Sequence, residues 1–185
     1  MLSAASDSLD PEIVTLKDGR HMVIRAICPD DADDLQESFQ RLSIQSIYLR
    51  FLSFKKGLSD EEAHQLSTVD YTSRMAFVAI YNENGKDIVT GVARYAILDS
   101  NHPETAEAAV VVMDEYQGLG LGKQLLKRLV LYARTRGIEC MRGNLQVGND
   151  RMLLLVKRSG LPNQTRFVDG LWEVSIDIRL QAHEQ

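Results

Sequence analysis

A strand, a glycine-rich turn and an amphipathic helix follow one another directly in this chain, and this unit constrains the fold most. The strand "AEAAVVVM" (106–113) is apolar with almost no alternation, as expected of a strand that is covered on both faces. The turn "QGLGLG" (117–122) follows, and the helix predicted from Leu119 to Arg136 has its leucines on one stripe. The pattern predicts a buried strand that packs against the helix after it.

Strand and helix patterns also fill the rest of the sequence. Asp-Gly pairs at 18–19 and 169–170 predict two hairpins, because this pair favours a tight turn. Ser59 is the expected cap of a helix in "LSDEEAHQLSTV", with Glu62 in the capping-box position. The other elements are helices in "CPDDADDLQESFQRL" and "SIQSIYLRFL", strands in "MAFVAIY", "DIVTGVARYAIL" and "CMRGNLQV", and a short helix in "DRMLLLVKRSG". No linker or repeat interrupts this order, which predicts one domain.

Composition restricts the class of protein and its partners. With 185 residues, 44% hydrophobic and 25% charged, the chain is typical of a soluble globular protein. A net charge of -5 makes nucleic acid and anionic membranes poor partners. The two cysteines form no CxxC pair, and the four histidines have no metal-ligand spacing. Since "MLSAASDSLD" also lacks the pattern of a secretory signal, we expect a cytoplasmic protein without a structural metal.

The spacing of the glycines excludes two common phosphate-binding loops. A Walker loop needs a glycine five residues before Gly122, where Gln117 stands. The dinucleotide-binding fingerprint Gly-x-Gly-x-x-Gly needs its third glycine five residues after the first. The sequence does not match this pattern when it starts at Gly118 or at Gly120, because no glycine lies five residues after either. An anion is still favoured, because glycines let the backbone approach closely and the first N–H groups of the next helix have no internal partner. Backbone amides could hold a diphosphate without a metal. The alternative is that the glycines only allow a tight turn between the strand and the helix and bind no ligand.

Two motifs resemble those of the GCN5-related N-acetyltransferases, the GNAT family. Gln117, Gly120 and Gly122 occupy the Gln/Arg-x-x-Gly-x-Gly/Ala places of its coenzyme A motif, between an apolar strand and a long helix. Asn149 stands where that family often has an Asn that contacts the pantetheine arm. The resemblance covers residues 20–178. Within the family, "RLSIQSIYLRF" and "LSTVDYTSRMAFVAI" look like the acetyltransferase domain of bacterial protein lysine acetyltransferases.

The resemblance implies a fold, a domain division and a co-substrate. The fold is α/β (α+β), the GNAT fold, with a central mixed, mostly antiparallel sheet of six to seven strands flanked by four or five helices. Residues 1–19 would form an N-terminal tail with the first short strand, and residues 20–180 a single acetyltransferase domain. The implied co-substrate is acetyl-CoA, with no metal.

The same resemblance implies a general base at Glu107, the only charge in "TAEAAVVVM". A half-buried carboxylate there would have its pKa raised toward the range that is useful for taking a proton from an amine. The alternative is an exposed glutamate that is hydrogen-bonded to a neighbour. Asp114 and Glu115, nearer the turn, are weaker candidates.

The residues implied to hold the co-substrate surround the glycine turn. A backbone N–H between Val111 and Met113 would polarise the thioester carbonyl, on a strand that splays from its neighbour. The implied acetyl-CoA-binding residues are Val111, Val112, Met113, Gln117, Gly118, Leu119, Gly120, Leu121, Gly122, Lys123, Asn149 and Met152. The last short helix lacks the Tyr with which many family members protonate the departing thiolate.

The resemblance implies an acetyl-CoA-dependent N-acetyltransferase that acts on a primary amine, with a protein lysine as the expected acceptor. Direct attack by the amine is expected, because neither Cys28 nor Cys140 lies in a site segment where it could carry an acetyl group. Two alternatives stay open: acetylation of a small-molecule amine, and a non-catalytic acyl-CoA-binding module that works as a sensor. The pattern predicts no oligomeric state.

Overall fold

The structure is a computed structural model that describes residues 9–180. Its strands are β1 Glu12–Thr15, β2 His21–Ala26, β3 Arg74–Glu83, β4 Lys86–Ala96, β5 Thr105–Val112, β6 Cys140–Gln146, β7 Asn163–Val168 and β8 Leu171–Asp177. Its helices are α1 Ala32–Gln40, α2 Ile44–Phe51, α3 Asp60–Ser67, α4 Leu121–Thr135 and α5 Asp150–Lys157. Short 3-10 turns cover Pro29–Asp31 and Asp114–Tyr116.

All eight strands described within residues 9–180 form one sheet, in the order β1-β2-β3-β4-β5-β6-β8-β7. Every neighbouring pair is antiparallel except β5 and β6, which confirms a mixed, mostly antiparallel sheet. The expectation of six to seven strands was too low, because both arms of the first and of the last hairpin join the same sheet. The number of helices agrees with the expectation of four or five.

Helices cover both faces of the sheet, and side chains that alternate along β3 divide the core accordingly. Met75, Phe77 and Ala79 point into the larger apolar cluster, which contains the buried leucines of α4. Ala76 and Val78 point into the smaller cluster, with side chains from α1 and α3. The sheet therefore separates α4 from the first three helices.

Local signals in the sequence account for the ends of two helices. The Ser59 hydroxyl accepts the Glu62 N–H at 3.2 Å, and the Glu62 carboxylate accepts the Ser59 N–H at 3.0 Å, which is the expected capping box of α3. The helix α4 begins at Leu121 rather than at Leu119, because Gly120 has a left-handed backbone with φ 98°. Within the described residues, no helix combines the length and the apolar character needed to span a bilayer.

The strand β5 is less covered than its sequence predicted. Ala106 is fully buried, but residues 108–112 are only partly buried. The reason is non-local, since the next strand in the sheet diverges from β5 after a short stretch of pairing. This divergence creates the candidate functional site.

Candidate functional site

A gap opens in the sheet between β5 and β6. The two strands pair in parallel only through residues 105–107 and 140–142, whereas β4 continues to pair with β5 as far as Val112. Around the point of divergence, a Cβ placed on Gly143 would lie 3.1 Å from the carbonyl oxygen of Ala108. Beyond that point, residues 108–112 of β5 have no strand partner on the β6 side within the described chain. One edge of β5 is therefore left for a ligand.

The alternation of an antiparallel pair decides which backbone groups face the gap. The Met113 N–H donates to the Thr90 carbonyl oxygen at 2.8 Å, so Met113 faces β4, and so does Val111 two residues before it. The Val112 carbonyl oxygen instead accepts a bond from the Gln117 side chain at 2.8 Å. Among the three residues expected to polarise a carbonyl, Val112 is the one whose N–H points into the gap.

The glycine turn presents a row of free backbone donors beside this gap. Within residues 9–180, the N–H groups of residues 118–122 donate no hydrogen bond. The amides of Lys123 and Gln124 are the first to bond back, both to the Gly120 carbonyl oxygen. A Cβ placed on Gly118 or on Gly120 would meet nothing within 4 Å, so the space over the turn is open. This combination of unpartnered amides, open space and a helix N-terminus is suited to an anion.

Gln117 connects three elements around the turn. Its side-chain NH₂ group donates to the Val112 carbonyl oxygen and, at 3.2 Å, to the hydroxyl of Ser46 in α2. Its side-chain oxygen accepts from the guanidinium of Arg151 in α5. The side-chain amide of Gln117 is thus fully used in bonds within the protein. It holds α2 and α5 against the end of β5. Sequence reasoning missed Arg151, whose position in the first turn of α5 was the available signal.

The helix α5 lies beside the glycine turn. Asn149 is its N-cap, and the Asn149 side-chain oxygen accepts the Met152 N–H at 3.3 Å. Leu155 lies 3.6 Å from a Cβ placed on Gly122, so α5 packs against the start of α4. Lys123 is exposed beside the turn, whereas Leu121 is buried and can offer only its backbone.

Glu107 lies at the last paired position of β5 before the gap, opposite Arg142 of β6. Its side chain is exposed, so the expected half-burial was wrong. The helices on this face cover β5 at Val111, in the smaller apolar cluster, and leave Glu107 outside it. An exposed carboxylate at this position can accept a proton directly or through water.

A cleft of about 580 Å³, including its open mouth, lies between the first three helices and the sheet. Ala109 and Val111, which are on the same face of β5 as Glu107, line its floor. Its walls are mainly apolar, and its charged side chains are Arg50 and Arg94. The cleft and the gap meet at β5, so an amine in the cleft could reach a ligand held along the strand.

Asp114 and Glu115, the weaker candidates for a base, are engaged in structural bonds. Asp114 accepts the backbone N–H of Ser43 at 2.9 Å and the hydroxyls of Ser43 and Ser46 at 2.8 Å each, which fixes the start of α2. Burial alone would raise the pKa of Asp114, but these bonds outweigh it and the pKa is lowered. Glu115 pairs with Arg41 at 2.5 Å.

We expect Asp114→Asn to lower the free energy of unfolding by about 1 kcal/mol at pH 7, because a neutral amide accepts these bonds less well. The pKa of Asp114 is lowered by folding, so the difference between wild type and variant should vanish as the pH falls from the ordinary carboxyl range through that lowered pKa. Urea unfolding of both proteins at pH 7 and at acid pH measures this difference in the free energy of unfolding. Asp169→Asn, in an exposed turn, is the control; a difference that persists at acid pH would contradict the assignment.

The part of the chain that the structure describes contains no cluster of metal-binding side chains. Among the residues that the structure describes, no three side chains of His, Cys, Asp or Glu come together in a way that could hold a metal ion. The site consists of free backbone amides, an exposed carboxylate and an apolar cleft that contains two arginines.

Comparison with known proteins gives a consistent result. The model of the acetyltransferase (GNAT) family matches residues 41–160. An acetyltransferase of Pseudomonas aeruginosa is 36% identical over 132 residues, 71% of this chain and 70% of that protein. The acetyltransferase Pat of Mycolicibacterium smegmatis is 26% identical over 152 residues, 82% of this chain but 44% of that protein. The crystal structure of the GNAT domain of S. lividans PAT superposes with a TM-score of 0.82 at 26% identity, covering 96% of this chain and 99% of that one.

Proposed function

This chain belongs to the GNAT family of acetyltransferases, and we propose from this premise that it transfers an acetyl group from acetyl-CoA to the amine of a protein lysine. Membership of the family makes it an N-acetyltransferase that uses acetyl-CoA as co-substrate. The lysine acceptor is supported by the likeness to Pat and to the S. lividans PAT domain. The observation that carries the proposal is the row of free amides at residues 118–122 beside the gap in the sheet.

The turn and the gap fit coenzyme A without a metal. Its two linked phosphates need several donors within a short distance, and the amides of residues 118–122 are successive donors at the start of a helix. The pantetheine arm contains amide groups, which can pair with the free edge of β5 beyond Glu107. The absence of a Cβ at Gly118 and Gly120 leaves room for the phosphates to approach the backbone.

Proton removal is the step that most needs a protein side chain. A lysine amine with a pKa of ~10.4 is neutral in only about one molecule in two thousand at pH 7. Glu107 is exposed, and it lies on the same face of β5 as the floor of the cleft. It accepts the proton, directly or through water, as the amine attacks. The Val112 N–H points into the gap and can donate to the thioester oxygen as negative charge develops there.

A direct transfer agrees with the positions of the cysteines. Cys28 directly precedes the 3-10 turn before α1, and Cys140 is the first residue of β6. Cys140 lies opposite Thr105, before the gap opens. The helix α5 offers no Tyr as an acid, so water protonates the departing thiolate or the thiolate leaves unprotonated.

The proposal is tested by incubating the protein with labelled acetyl-CoA, the soluble proteome of its host and a panel of small amines. Label on protein lysines, mapped by mass spectrometry, is the expected result. Label on a small amine alone would replace the lysine acceptor with a small molecule. Tight binding of acetyl-CoA without transfer to either class would identify a binding module instead of an enzyme.

A further inference from the structure

Two arginines face the cleft and leave most of their hydrogen-bonding capacity unused. Arg50, in α2, lies with its guanidinium carbon 5.0 Å from the ring centre of Phe51, and it donates no hydrogen bond to any residue between 9 and 180. Arg94, in β4, donates to the Leu66 carbonyl oxygen at 2.8 Å. A guanidinium has five N–H donors, so many of these donors have no partner in the protein.

The electrostatic surroundings of this pair are unusual for two cations. Burial lowers the pKa of Arg50, and the charge of Glu107 acts in the opposite direction. Burial and the neighbouring charge of Arg50 lower the pKa of Arg94 to about 10. Among the described residues, no carboxylate forms an ion pair with either arginine. Apart from the charge of Glu107, which is not bonded to Arg50, these two partly desolvated cations in a mainly apolar cleft have no anion beside them within the described residues.

We propose that Arg50 and Arg94 bind a carboxylate of the acceptor, so that the enzyme selects amines that have an acidic group nearby. The planar guanidinium matches a carboxylate with two parallel N–H donors, and the surrounding apolar walls strengthen that interaction. This inference rests on the proposed acetyl transfer at the same site. The carboxylate belongs to an Asp or Glu close to the acceptor lysine, or to a free amino acid.

The arrangement of charges in the cleft gives the acceptor one orientation. Ala109 and Val111, on the same face of β5 as Glu107, line the cleft together with both arginines, and the charge of Glu107 raises the pKa of Arg50. A molecule with both an amine and a carboxylate can direct the amine to Glu107 and the carboxylate to the arginines. An acceptor with an amine but no acid would leave the arginines unpaired. The cleft therefore discriminates by charge, and its apolar walls accommodate the aliphatic part of the acceptor.

The test compares two lysine peptides that differ only in having Glu or Gln beside the lysine, together with free lysine and lysine amide. With the wild-type protein, we expect kcat/KM to be at least about tenfold higher for the acidic member of one of these pairs. Arg50→Gln should bring that ratio close to one, and Arg50→Lys should restore part of it. Arg166→Gln, on the exposed strand β7, is the control and should keep the wild-type ratio.

Several outcomes decide the proposal. Equal kcat/KM within both pairs for the wild-type protein, or a ratio unchanged in Arg50→Gln and in Arg94→Gln, would overturn it. A preference for free lysine over lysine amide, without acetylation of peptides, would support the arginine site and refute the protein acceptor. If Arg94→Gln does not fold, because the bond to Leu66 is lost, the ratio in Arg50→Gln decides alone. A soluble protein that acetylates none of the four compounds but labels proteome lysines without acidic neighbours would refute only the arginine site.

Discussion

Replacing Glu107 with glutamine is expected to lower kcat at least about 10²-fold while leaving the Kd for acetyl-CoA unchanged. The amide has nearly the same size as the carboxylate but cannot accept a proton from the attacking amine. Because Glu107 is exposed and packs in neither apolar cluster, the substitution should not disturb the fold. Binding is measured by calorimetry, and transfer by the release of free thiol.

The pH dependence of this variant provides a second readout. Without a base, the reaction depends on the small fraction of amine that is already neutral, so its rate should rise about tenfold per pH unit toward the amine pKa of ~10.4. Glu173→Gln, exposed on β8, removes the same charge away from the gap and should behave as wild type. A Glu107→Gln variant with the wild-type rate at pH 7 would exclude Glu107 as the base.

Gly120→Ala is expected to weaken the binding of acetyl-CoA at least about tenfold. The backbone of Gly120 is left-handed, with φ 98°, and this region costs an alanine about 1–2 kcal/mol. Since the added Cβ would meet nothing within 4 Å, the effect comes from the backbone rather than from a collision. A backbone that turns to relieve the strain redirects the amides of residues 118–122 away from the phosphates.

Gly137→Ala provides a matched control at the other end of α4. Gly137 has φ 77°, and a Cβ placed on it would also meet nothing within 4 Å. The control should therefore have a similar loss of stability with an unchanged Kd. Titration calorimetry and urea unfolding on both variants separate the two effects. If both variants bind acetyl-CoA as tightly as the wild type, the amides of the turn do not hold the phosphates.

Local sequence signals predicted much of the fold, because they act within a few residues. The capping box at Ser59 and Glu62 and the left-handed turns at Asp169 and Gly170 appear in the structure where their residue types indicated them. The leucine stripe of α4 is buried as its spacing predicted. The beginning of α4 was misplaced by two residues, because helical periodicity does not reveal that Gly120 is left-handed.

The candidate site depended on distant partners and was harder to predict. The apolar run in β5 indicated full coverage, but the point at which β6 diverges is set by residues more than thirty positions away. Glu107 is exposed because the helices on its face of the sheet cover β5 at Val111 and leave Glu107 outside the smaller apolar cluster, which is also a non-local effect. The N–H of Val112 faces the gap, and that of Met113 does not, because Met113 bonds to Thr90. The side chain of Gln117 is fixed by its bonds to Ser46 and Arg151. None of these pairings leaves a periodic signal in the sequence.

The limited pairing of β5 with β6 has a consequence for how the molecule comes apart. Three residue pairs join the strands β1–β5 to β6, β7 and β8. Apart from this short ladder, the last three strands are held mainly by side chains such as Met141, Val174 and Ile176 in the larger apolar cluster, so the junction of β5 and β6 has the fewest backbone bonds to lose. A ligand that spans the gap adds contacts at this junction, and because it binds the folded state alone, the acyl donor should protect the enzyme against unfolding as well as supply its reaction.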